Sequence, residues 1–142
     1  MATDCRGPLS ILLITSDLMV SSRIAGAAAA IPATVASLGP AAEPGSGPFD
    51  VIVVDLEAGR RGAGELVGRA REIAASQAAL RPAAIVAFGP HVAVDRLAEA
   101  KAAGADLVVT RGEALQSLAA VVNRVRSLAT TRRAASSDGP AG

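Results

Sequence analysis

Residues 51–56 read Val-Ile-Val-Val-Asp-Leu. Four β-branched residues follow one another with no polar alternation, which is the pattern of a short strand buried on both faces. The carboxylate at Asp55 closes that run, so it belongs at the strand's end rather than in its core. Three further runs of strand length share this character: 9–15 (LSILLIT), 84–88 (AIVAF) and 106–110 (DLVVT). A weaker candidate lies at 33–38 (ATVASL).

Between these runs lie stretches of helical period. Ser16 and Asp17 precede 18–30, where Leu18, Val20, Ile24 and Ala27 recur. Segment 64–79 places Leu66, Val67, Ala70, Ile73 and Ala74 on one face. Segment 92–103 follows Gly89-Pro90 and is closed by Gly104 as a terminal glycine. Segment 113–128 repeats Leu115, Leu118, Ala119, Val122 and Val125. Strands alternating with helices predict an α/β domain with a doubly wound parallel sheet, five strands in the flavodoxin-like order 2-1-3-4-5. One link departs from this. Residues 39–48 (GPAAEPGSGP) hold three Pro and three Gly, so a Pro/Gly loop is expected in place of the second helix. Extended, ten residues reach about 33 Å, enough to return along a strand. The reading is one domain over 9–128, with a flexible start at 1–8 and a disordered tail over 129–142, where apolar periodicity is lost.

Composition narrows the function. The chain has 142 residues, 51% hydrophobic and 19% charged, and a single Cys, Cys5, so no internal disulfide forms. With 14 basic and 13 acidic residues, the net charge of +1 gives no general attraction to nucleic acid or anionic lipid. Phe49 and Phe88 are the only aromatic residues, too few for a base-stacking surface. The apolar run Leu9–Ile14 is too short to span a bilayer and resembles no secretory leader, so a cytoplasmic location is expected. No phosphate-binding glycine motif, zinc spacing or nucleophile elbow is present. The lone His91 lacks catalytic partners and reads as a turn or helix-start residue. Arg60-Arg61 and Arg132-Arg133 read as solvated charges.

In an open parallel sheet, chemistry collects beyond the carboxyl ends of the strands where the strand order reverses. That point lies between the first and third strands, whose ends carry Asp17 and Asp55. Two carboxylates with a nearby backbone carbonyl suit Mg²⁺, which takes hard oxygen ligands. Arg111, after the fifth strand, brings a fixed positive charge to the same rim. Each residue also has a plainer reading. Asp17 suits a helix N-cap, Asp55 suits a loop residue capping local amides, and Arg111 suits a solvated surface position.

The stretches ILLITSD at 11–17, VIVVDLEAG at 51–59 and AKAAGADLVVTRG at 100–112 resemble the signature regions of response-regulator receiver (CheY-like) domains. The resemblance covers about residues 9–128. It implies that Asp55 stands at the phosphoacceptor position and Asp17 at the second position of an acidic pair whose first position holds Ser16. It implies a weak Mg²⁺ site from Asp17, Asp55 and the backbone carbonyl of Glu57, whose side chain offers a further oxygen. Gly89 stands where receivers carry Thr or Ser, Arg111 where they carry Lys, Gly112 where they carry Pro, and Val108 at the aromatic switch position. The turn within 87–106 also resembles degenerate bacterial receiver-like proteins. The expectation is a degenerate receiver: a two-component signalling or interaction module, not an enzyme, acting without standard phosphorylation switching. Its partner is a histidine kinase or a downstream signalling protein, met through the surface of 92–103, 106–110 and 113–128, with a homodimer also in view. The alternatives are a genuine single-domain response regulator phosphorylated on Asp55 with Mg²⁺, and a small phosphate- or nucleotide-binding domain using backbone at Gly89 and Gly112. The Asp55-Leu56-Glu57 sequence is only faintly similar to a haloacid-dehalogenase motif.

Overall fold

The computed structural model describes residues 9–39, 48–58, 62–78 and 82–137. Strands β1 (Leu9–Ile14), β2 (Ala33–Leu38), β3 (Val51–Asp55), β4 (Ala84–Gly89) and β5 (Leu107–Thr110) form one sheet in the order β2-β1-β3-β4-β5. Every neighbouring pair is parallel. Helices α1 (Leu18–Ala28), α2 (Ala63–Gln77), α3 (Val94–Ala103), α4 (Arg111–Gln116) and α5 (Leu118–Ser137) complete the chain.

The alternation of side chains along a strand explains why the central runs carry no polar residues. Ile11 and Leu13 of β1, with Val51 and Val53 of β3, pack into one layer against Val20 and Ile24 of α1 and Val122 and Val125 of α5. Leu12 and Ile14, with Ile52 and Val54, pack into the opposite layer against Leu66, Val67, Ala70 and Ile73 of α2. The strand beginnings are held by polar side chains. Asp50 Oδ2 accepts from the Ser10 amide and Asp106 Oδ2 accepts from the Ile85 amide, each at 2.8 Å. These acids serve the far edge of the sheet, opposite the candidate rim.

Three sequence expectations change. The last helix is two helices. Thr110 and Glu113 form a reciprocal capping box that starts α4 at Arg111, and the chain leaves helical geometry at Ser117 before α5 begins. Second, α5 runs to Ser137, so the expected disordered tail is helical over 129–137, with Ala129 buried against the first layer, and the rest of that tail, 138–142, lies outside the described residues. Third, α1 ends at Ala28 rather than 30. The weaker strand candidate at 33–38 holds with its expected bounds, as an edge strand paired along its whole length with β1. The Pro/Gly loop falls almost entirely on 40–47, and the flexible start on 1–8; both lie outside the described residues. Gly104 has φ 114°, the left-handed conformation that closes α3 as the sequence implied. Among the described residues, no helix is long and apolar enough to cross a membrane.

Candidate functional site

The register of β1 against β3 pairs Ile14 with Val54, so the next residues, Thr15 and Asp55, meet at the carboxyl rim. The Thr15 hydroxyl donates to Asp55 Oδ2 at 2.7 Å. The Glu57 amide donates to Asp55 Oδ1 at 2.9 Å. Both carboxylate oxygens are therefore held, and Asp55 is only 3% exposed. Thr15 Oγ1 in turn accepts from the Asp17 amide at 3.1 Å, which links the two loops. A search for acids passes over Thr15. The strand order would have found it, because the residue directly after β1 must face the end of β3.

Asp17 performs the plainer of its two roles. Its Oδ1 accepts from the Met19 amide at 2.8 Å and the Val20 amide at 3.4 Å, capping α1. Its Oδ2 lies 3.7 Å from Arg111 Nη2. Arg111 Nη1 lies 3.9 Å from Glu57 Oε1. Arg111 thus reaches across the rim from the first turn of α4, and its side chain is 35% exposed against 46% for Asp17 and 49% for Glu57. The rim gathers Asp17, Asp55, Glu57 and Arg111 into one neighbourhood.

These residues do not fit a divalent cation as they stand. Among the described residues, no three His, Cys, Asp or Glu side chains form a group able to hold a metal ion. The carboxylates of the expected Mg²⁺ set, Asp17 and Asp55 beside the Glu57 carbonyl, are already engaged within the chain. Asp17 gives one oxygen to helix amides, Asp55 gives both to Thr15 and Glu57, and a guanidinium stands between Asp17 and Glu57.

The other receiver-like positions are apolar or open. A Cβ placed on Gly89 would meet Leu97 Cδ2 at 3.5 Å and Leu56 Cβ and Cδ1 at 3.6 Å, ordinary packing distances. Gly89 is thus enclosed by leucines and presents no open backbone to a ligand. Val108 is half-buried against the second layer. Arg96 of α3 donates to the Leu56 carbonyl, tying that helix to the turn after Asp55. A groove of about 500 Å³ beside α4 is lined by Arg23 of α1, His91, Thr110, Arg111 and Gly112 among others, with no acid in its wall. His91 belongs to this groove.

No family model matches the sequence, and no curated protein is similar to it. Solved structures are. The chemotaxis response regulator CheY4 of Vibrio cholerae superposes with a TM-score of 0.63 at 17% identity, over 83% of this chain and 98% of that one. The receiver domain of TorR, the response regulator of the TMAO respiratory system, does so with 0.62 at 17% identity, over 87% and 98%. Full-length FixJ from B. japonicum gives 0.63 at 20% identity over 88% of this chain, which spans 58% of FixJ. At these identities the likeness is one of architecture, and it agrees with the strand order and the rim: the chain has the fold of response-regulator receiver domains.

Proposed function

We propose that this chain is a receiver-like signalling module of two-component type, working by protein docking and without the standard phosphorylation switch. The observation that carries this reading is the state of Asp55. It closes β3, where receivers hold their acceptor, yet both its oxygens are bonded within the chain by Thr15 and the Glu57 amide. The hydroxyl and aromatic positions that would respond to a phosphoryl group are Gly89 and Val108. Phosphoryl transfer to a weak carboxylate nucleophile rests on positioning and charge neutralisation, and this rim supplies one guanidinium already shared by two carboxylates. The module is a binding protein rather than an enzyme. Its partner is a histidine kinase or a downstream signalling protein, and the docking surface is built from α3, β5, α4 and α5. A second copy of the chain is the other candidate occupant. The small-ligand alternative loses support, because Gly89 is packed against Leu56 and Leu97.

The test is intact-mass analysis after incubation with acetyl phosphate and Mg²⁺, beside an Asp55→Ala control. The expected result is no adduct on either protein. A labile single-phosphate adduct on the native chain, absent from the control, would replace this reading with a working single-domain response regulator.

A further inference from the structure

A carboxylate rim in water attracts cations, and the chain can supply one from its own sequence. Two loops bring acids here: Asp17 from the β1–α1 turn and Glu57 from the β3–α2 turn. The third element is α4, which starts at Arg111 because the Thr110–Glu113 capping box fixes its first turn there. The planar guanidinium holds its N–H groups in a fixed fork, so its two terminal nitrogens face two separate carboxylates. Here Nη2 faces Asp17 Oδ2 at 3.7 Å and Nη1 faces Glu57 Oε1 at 3.9 Å. No side chain in the set is fully solvated, and Arg111 is the least exposed of the three.

We propose that Arg111 is the resident cation of this rim, standing between Asp17 and Glu57 so that the site does not take up a divalent metal. Two effects act together. A divalent ion brought within several ångströms of a guanidinium meets direct repulsion, weakened but not abolished at a half-exposed site. Mg²⁺ also demands near-octahedral oxygen donors at about 2.0–2.1 Å. The oxygens here are turned to a helix N-terminus, a hydroxyl, a backbone amide and the guanidinium. The inference concerns the rim's own charge balance and is read without any phosphodonor, so it stands or falls separately from the signalling reading.

The experiment uses the full chain with Mn²⁺ as the probe, followed by paramagnetic broadening of backbone amide signals at Thr15, Asp17, Asp55 and Glu57. Arg111→Gln removes the charge and keeps much of the length, and far-UV circular dichroism confirms that the variant is folded. The native chain is expected to show no selective broadening at millimolar Mn²⁺. Arg111→Gln is expected to show it, with an apparent affinity raised about tenfold or more. Selective broadening of the native chain at the same Mn²⁺ concentration as the variant overturns the proposal. So does a folded variant that shows none, since Arg111 would then not be what keeps the metal out.

Discussion

Thr15 carries more of the rim than its residue type suggests. Its hydroxyl donates to Asp55 Oδ2 and accepts from the Asp17 amide, so one side chain joins the ends of β1 and β3. Replacing it with valine keeps the shape and leaves a nearly buried carboxylate oxygen without its donor. Thr15→Val is expected to cost about 1–3 kcal/mol, read from urea denaturation by circular dichroism. In an Asp55→Ala background the same change is expected to cost markedly less, because the bond it breaks is already gone. An equal cost in both backgrounds would show that the Thr15–Asp55 bond is not what holds the turn. Asp17, Asp55 and Arg111 were legible in the sequence because strand ends place polar residues at one rim, and Glu57 entered through the receiver resemblance. Thr15 was passed over because it is not an acid, although its place directly after β1 marks it, and the division of labour at Asp17 was not legible. A sequence gives the donors and acceptors present, but not which oxygen each one occupies once the loops close.

Gln77 shows the same limit for a whole element. It lies at the end of α2 and is buried, and its side-chain amide pairs with Phe49 in both directions: the Phe49 amide donates to Oε1 and Nε2 donates to the Phe49 carbonyl, each at 2.8 Å. The side chain acts as a strand partner for the segment entering β3, pinning α2 to the sheet. Gln77→Ala is expected to lose about 2 kcal/mol or more, since two backbone groups lose their partner away from water. Arg69→Ala is a suitable comparison, because its Arg69–Glu72 pair on the same helix is partly solvated and worth only a few tenths of a kcal/mol. Equal thermal shifts for the two variants would remove Gln77 from the role of pin. The strands themselves were readable to within a residue or two, because an apolar run covered on both faces admits few alternatives. The break at Ser117 was hidden for a physical reason. Leu115, Leu118, Val122 and Val125 keep a helical spacing across it, so periodicity sees one helix, while the interruption is a single residue, Ser117, whose φ of −133° and ψ of 42° leave helical geometry. The extension to Ser137 was hidden because a helix can persist on propensity after its apolar stripe ends, and here the buried Ala129 still anchors it.

The two hydrophobic layers meet only through the sheet, whose central strands contribute alternate residues to each. That arrangement sets how damage in one layer reaches the other. Ile24 on α1 and Leu66 on α2 are both fully buried, on opposite sides. Ile24→Val is expected to cost about 0.5–1.5 kcal/mol and Leu66→Ala about 2–5 kcal/mol, each through lost contacts and residual space. The residues share no packing partner, so the double variant is expected to be additive within about 0.5 kcal/mol. All three variants are expected to unfold in one cooperative transition, as a single sheet common to both layers requires. With no Trp or Tyr in the chain, far-UV circular dichroism is the practical probe. An interaction energy well above that limit would mean that the sheet shifts as a body when either layer loosens. The receiver-like rim, built on β1 and β3 at the middle of that sheet, would then respond to anything that docks on α1 or α5. Additivity would leave the rim insulated, and any signal would have to pass through the loops that Thr15 and Arg111 hold together.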